Sequence, residues 1–118
     1  MALPSGLRVM VVEDEPLVLL ELQDMLGDLG CAVAGAAATL DAAATLARTL
    51  DFDVAVLDVN LGGKMIDPVA DIIEARGLPV VFVTGYGRAF LGDRPGEVVE
   101  KPCQAADLRR AITKVLRQ

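Results

Sequence analysis

Apolar residues fall into short continuous runs, separated by longer stretches in which they recur every three or four positions. The runs are Val9 to Val12, Cys31 to Ala36, Val54 to Leu57, Val80 to Val83 and the brief Val98-Val99. Continuous runs of this length predict strands buried on both faces, as in a parallel sheet. In the first intervening segment Val18, Leu22, Met25 and Leu29 share one face, with Glu21, Asp24 and Asp28 elsewhere. In the last, Leu108, Ile112 and Val115 form a stripe against Arg109, Arg110 and Lys114. The alanine-rich stretch 40–50 and the stretch 68–76, bounded by Gly77 before Pro79, also predict helices.

Between Gly85 and Gly96 the period fails, because Gly85, Gly87, Gly92, Pro95 and Gly96 interrupt it. A short or irregular fourth helix is expected there. Strand and helix thus alternate through five units, which with right-handed crossovers gives an α/β doubly wound fold. The expected architecture is a flavodoxin-like five-stranded parallel sheet of order 2-1-3-4-5, one domain spanning residues 1–118.

The 118 residues suit a single core, and no separate output module is expected beside it. Histidine is absent, which excludes His-ligated metal sites, Ser-His-Asp triads and Cys-His pairs. A net charge of −6 is the wrong sign for a general binder of nucleic acid. The longest uncharged stretch, Leu29 to Leu40, is too short for a membrane span, and no basic region precedes an apolar run at the start. A cytoplasmic location without membrane contact is the expectation. Cys31 opens the second predicted strand and Cys103 follows the fifth, at opposite ends of a parallel sheet, so two free thiols are expected rather than a disulfide. Two cysteines without histidine make a zinc site untenable.

In such a fold ligands bind at the carboxyl ends of the strands, beside the point where strand order reverses. The first strand ends in Glu13-Asp14, the third in Asp58, the fourth in Thr84 and the fifth in Lys101. Three carboxylates converging on one crevice repel unless a cation or proton neutralises them, and Mg²⁺ suits oxygen donors of this kind. Each residue also has a plain structural reading. Asp14 before Glu15-Pro16 could cap a helix, Asp58 could solubilise a loop, Thr84 could bond local backbone, and Lys101 could be a surface charge. Their joint placement at four strand ends favours phosphoryl transfer to an acid.

These residues resemble the signatures of response regulator receiver domains, the phosphoacceptor modules of two-component systems. The matching motifs are Val11-Val12-Glu13-Asp14-Glu15-Pro16, Val56-Leu57-Asp58-Val59-Asn60-Leu61, Thr84-Gly85 and Lys101-Pro102, and the resemblance covers the whole chain. It implies that Asp58 is the phosphorylated aspartate, that Asp14 and Asp58 ligate Mg²⁺ with the Asn60 backbone carbonyl, and that Glu13 reaches the ion through water. It also implies that Thr84 and Lys101 hold phosphoryl oxygens and that the Lys101-Pro102 bond is cis. The implied partners are a sensor histidine kinase or phosphotransfer protein and a downstream protein target. On this reading the chain is a signalling phosphoacceptor and no more of an enzyme than self-phosphorylation and autodephosphorylation make it.

Two departures stand out. The family's aromatic switch position on the fifth strand is Val98 here. Phe82-Val83-Thr84-Gly85-Tyr86-Gly87, with Asn60-Leu61-Gly62-Gly63, resembles the single-domain "FAT GUY" subgroup. Tyr86 and the glycine-rich segment through Gly96 are therefore expected to replace the usual switch. The alternative is a pseudo-receiver that binds partners without taking phosphate, against which the intact Asp58 and Lys101 count. An aspartyl phosphohydrolase would want its nucleophile on the first strand, and a flavin-binding flavodoxin would not place Glu13-Asp14-Glu15 against a phosphate.

Overall fold

The computed structural model describes residues 3–85 and 91–117. Its elements run β1 (Arg8–Val12), α1 (Pro16–Asp28), β2 (Ala32–Ala37), α2 (Leu40–Thr49), β3 (Val54–Asp58), β4 (Asn60–Leu61), β5 (Lys64–Met65), α3 (Asp67–Ala75), β6 (Val80–Thr84), β7 (Glu97–Glu100) and α4 (Ala105–Leu116). Five strands form one parallel sheet in the order β2-β1-β3-β6-β7, which is the expected 2-1-3-4-5 once the two-stranded β4-β5 ribbon is set apart.

Both faces of the central strands are covered, which is why they read as continuous apolar runs. Met10, Val12, Ala55, Leu57 and Phe82 pack with Ala43 and Ala47 of α2 and Val69, Ala70 and Ile73 of α3. The alternate residues Val9, Val11, Val54, Val56, Val81 and Val83 pack with Leu22 and Leu26 of α1 and Leu108, Ala111, Ile112 and Val115 of α4. Successive side chains on a strand point to opposite faces, so two helical layers need every position apolar. β2 departs from this reading. It is an edge strand with only Ala37 buried, and its small apolar side chains tolerate that exposure.

The α1 stripe is centred on Leu22 and Leu26, with Val18, Met25 and Leu29 half-buried at its margin. Part of the Gly85 to Gly96 stretch where a short or irregular fourth helix is expected, residues 86–90 with Tyr86, lies outside the described residues. Of the stretch that follows, Leu91 is 3₁₀-helical and Gly92 and Asp93 form a turn. Gly96, which the sequence marks as a helix breaker, has a more specific task. Its φ is +122°, and a Cβ there would lie 2.7 Å from the Val80 carbonyl oxygen and 3.0 Å from the Phe82 ring. Only glycine lets the chain enter β7 this close to β6.

Candidate functional site

Parallel register brings the predicted residues to one end of the sheet. Val12 pairs with Leu57 and Asp58 with Val83, so Glu13 and Asp14, just past β1, stand beside Asp58 at the end of β3. Thr84 closes β6 opposite Glu100, and the backbone amide of Lys101 donates to the Thr84 carbonyl at 2.9 Å. A cavity of about 310 Å³ opens there, lined by Asp14, Glu15, Asp58, Asn60, Thr84 and Lys101, with Gly62, Gly63 and Gly85 at its walls. The order reversal between β1 and β3 makes the crevice, as the topology requires.

Glu13 is inaccessible to solvent, and Asp58 and Thr84 are buried at 5% and 1% exposure. Lys101 enters between the acids. Its ammonium donates to Glu13 Oε1 at 3.0 Å and to Asp58 Oδ2 at 3.3 Å. The other Glu13 oxygen accepts from the Glu15 amide at 3.2 Å, and Asp58 Oδ1 lies 3.4 Å from the Asn60 amide. Asp14 Oδ2 accepts from the Gly62 amide at 2.9 Å.

Burial raises the Glu13 carboxyl from its ordinary 4.5 to about 7, against the pull of Lys101 and with the neighbouring Asp58 and Asp14 adding to the rise. Burial works the other way on Lys101, but the contacts with Glu13 and Asp58 outweigh it and hold the ammonium above the usual lysine value. One oxygen from each of Glu13, Asp14 and Asp58 lies within 4.8 Å of the others. This hard, anionic donor set suits a divalent cation that prefers oxygen ligands.

The plain readings fail here for two residues. Glu15, not Asp14, occupies the N-cap position of α1, where its side chain makes no capping bond and Pro16 starts the helix. Asp58 is the buried last residue of β3, not a loop residue. The Lys101-Pro102 peptide is cis. Val98 lies on β7 opposite Phe82, half-buried against the core and away from the cavity lining. Cys31 and Cys103 are free thiols, and burial, followed by the charge of Asp107, pushes Cys103 up to about 11. No helix among the described residues is long and apolar enough to cross a membrane.

Sequence reasoning missed the Asn60–Met65 ribbon and its hold on Asp14. The Gly62-Gly63 pair, a two-residue hairpin signal, was a clue to the ribbon but not to the bond with Asp14.

The model for the response regulator receiver domain matches residues 9–113. This chain belongs to that family. Its similarity to curated proteins includes the phyllosphere-induced regulator PhyR of Methylorubrum extorquens, 31% identical over 98% of this chain and 46% of the relative. The transcriptional regulatory protein PdtaR of Mycobacterium tuberculosis is 30% identical over 89% of this chain and 54% of its own length. The chain therefore spans about half the length of these relatives. Among solved structures, the receiver domain of Erythrobacter litoralis PhyR superposes with a TM-score of 0.82 at 35% identity, covering 96% of this chain and 92% of that one. SdrG from Sphingomonas melonis gives 0.80 at 34%, covering 97% and 99%. The fold is thus that of a receiver domain of two-component systems, and this chain carries the acidic cluster Glu13, Asp14 and Asp58 at the ends of its first and third strands.

Proposed function

We propose that this receiver accepts a phosphoryl group on Asp58 from a phosphohistidine of a partner kinase or phosphotransfer protein. The observation that carries this reading is the Lys101 ammonium, held at once against Glu13 and Asp58 in a pocket that also contains Asp14. In the transfer, an Asp58 carboxylate oxygen forms a bond to phosphorus while the phosphorus–nitrogen bond to the partner's imidazole breaks. The imidazole leaves with the bonding pair. The carboxylate needs no general base, so catalysis consists of positioning and charge neutralisation.

Asp14 and Asp58, with the Asn60 backbone carbonyl and with Glu13 through water, would hold Mg²⁺. That ion supplies neutralisation of charge on the phosphoryl oxygens. Lys101 is placed to take a phosphoryl oxygen once the charge on Asp58 moves outward, and Thr84, ending the next strand, is the hydroxyl within the same cavity. Gly62, Gly63 and Gly85 put no side chains at three positions of the cavity wall, which leaves room for a donor as bulky as a protein histidine to approach.

We infer that the exposed start of α1 is where such a partner docks. Leu17 and Leu20, on the first turns of α1, are large apolar side chains with exposures of 74% and 54%. Exposed leucines three and six residues from Asp14 suit contact with a partner protein that delivers its histidine to Asp58. Signalling then proceeds through contact with a downstream protein or by draining phosphate from the kinase, in the cytoplasm. The test is incubation with acetyl phosphate and Mg²⁺, followed by mass spectrometry for a hydroxylamine-labile adduct. Wild type should acquire it and Asp58→Ala should not. Equal behaviour of the two sinks the reading and leaves the pseudo-receiver.

A further inference from the structure

The Asn60–Met65 ribbon is not required by the alternation of strands and helices, yet its amides reach two of the site's three clustered carboxylates, Asp58 and Asp14. Its register pairs Asn60 with Met65 and Leu61 with Lys64, leaving Gly62 and Gly63 as a two-residue loop. Their φ values of +57° and +91° are those of a type I′ turn, left-handed at both central positions. The turn is anchored from within, since the Gly63 amide donates to Asn60 Oδ1 at 2.7 Å. It is anchored to the core as well, since the Ile66 amide donates to the Val59 carbonyl at 2.9 Å. So held, it aims the Gly62 amide at Asp14 Oδ2, 2.9 Å away, from 48 residues downstream. Lys101 serves Glu13 and Asp58, and this amide serves Asp14.

We propose that the Gly62-Gly63 turn is a positioning element for Asp14, fixing the carboxylate through one oxygen so that the other faces the cation. The inference rests on the reading of Asp14 as a cation ligand. Groups that hydrogen-bond a ligating carboxylate set its orientation, and their loss commonly weakens metal binding. A hydrogen bond to a carboxylate is also stronger than one between neutral groups. Glycine is needed at position 62 for its backbone conformation. A Cβ there would sit 3.8 Å from Asp14 Oδ2, an ordinary contact, but φ of +57° is strained for a β-branched residue. Asparagine tolerates that conformation and should preserve the turn.

The test compares wild type, Gly62→Asn, Gly62→Val and Asp14→Ala. In the metal-free protein, the Gly62 amide should exchange slowly with solvent and resonate downfield, and Asp14→Ala should abolish both signatures. Titrated with Mg²⁺ alone and followed by NMR, Gly62→Val should bind about tenfold more weakly, whereas Gly62→Asn should bind as wild type does. A Gly62→Val protein that binds Mg²⁺ as tightly as wild type overturns the proposal and leaves the cation reading standing. A wild type that does not bind Mg²⁺ overturns both. Should Gly62→Val fail to fold, the amide signatures in wild type and Asp14→Ala decide, and a Gly62 amide indifferent to the loss of Asp14 overturns the proposal.

Discussion

Lys101 shares one ammonium between Glu13, at 3.0 Å, and Asp58, at 3.3 Å, so a single cation answers two carboxylates that water barely reaches. Removing it leaves both acids buried and unpaired. Lys101→Met is expected to lower stability by about 2 kcal/mol, below the figure for a fully buried pair because the lysine side chain is 31% exposed. Urea unfolding near neutral pH should show the loss, and Asp58→Ala in the same background should recover part of it by deleting one of the stranded charges.

The Glu13 shift makes stability depend on pH in a definite direction. With its carboxyl near 7 in the fold and near 4.5 in the unfolded chain, the native state binds more protons between those values. Stability from this group is complete below the unfolded value and is lost as pH rises through about 7. The shift of Lys101 is upward as well and acts only above the ordinary lysine value, so it does not oppose the trend. Thermal melts of the metal-free protein should therefore fall in midpoint as pH rises from about 5 to 8. Glu13→Gln should flatten that slope, and an unchanged slope would show that Glu13 titrates normally. A divalent cation bound to ionised carboxylates should flatten it too, by stabilising the protein most at the alkaline end.

The central strands were legible because two helical layers bury both of their faces. The runs at Val9, Val54 and Val80 could hardly read otherwise. The pocket was legible for a related reason, since strand ends in a doubly wound sheet project to one edge and polar residues there are conspicuous after valines. What the sequence hid were contacts without a period. Nothing in the local pattern at Gly62 announces a bond to Asp14, and nothing at Gly96 announces the Val80 carbonyl. The edge position of β2 was concealed by its alanines, which read as buried but are small enough to stay exposed.

Gly96 permits a direct check on close packing between β6 and β7. In Gly96→Ala the added methyl meets the Val80 carbonyl oxygen at 2.7 Å, and backbone rather than a flexible side chain must move. Together with the positive φ, this should cost about 2–4 kcal/mol in urea unfolding. Gly77→Ala is the control. It shares a positive φ, of +74°, but meets nothing within 4 Å, so its cost should be smaller, about 1 kcal/mol. Equal losses in the two would place the whole effect in the backbone and none in the contact.

Arg94 ties the segment entering β7 to α3. Its guanidinium lies 2.9 Å from Asp71, 3.2 Å from Asp67 and 3.0 Å from Glu74, with only 16% of the side chain exposed. The three acids recur at intervals of four and three along α3, on one helical face, where they repel one another without a cation. Arg94→Ala should lower stability by about 1–2 kcal/mol, a figure reduced for the partial exposure of Asp67 and Asp71. Arg94→Lys should recover only part, because both oxygens of Glu74 accept from one guanidinium nitrogen while the other reaches Asp67 and Asp71, a fork that an ammonium cannot reproduce. Salt distinguishes this from lost packing. If the arginine acts through charge, the gap between wild type and Arg94→Ala in thermal midpoint should narrow at about 1 M salt, where screening shortens to about 3 Å. A gap that salt leaves untouched would assign the stabilisation to the arginine's aliphatic stem.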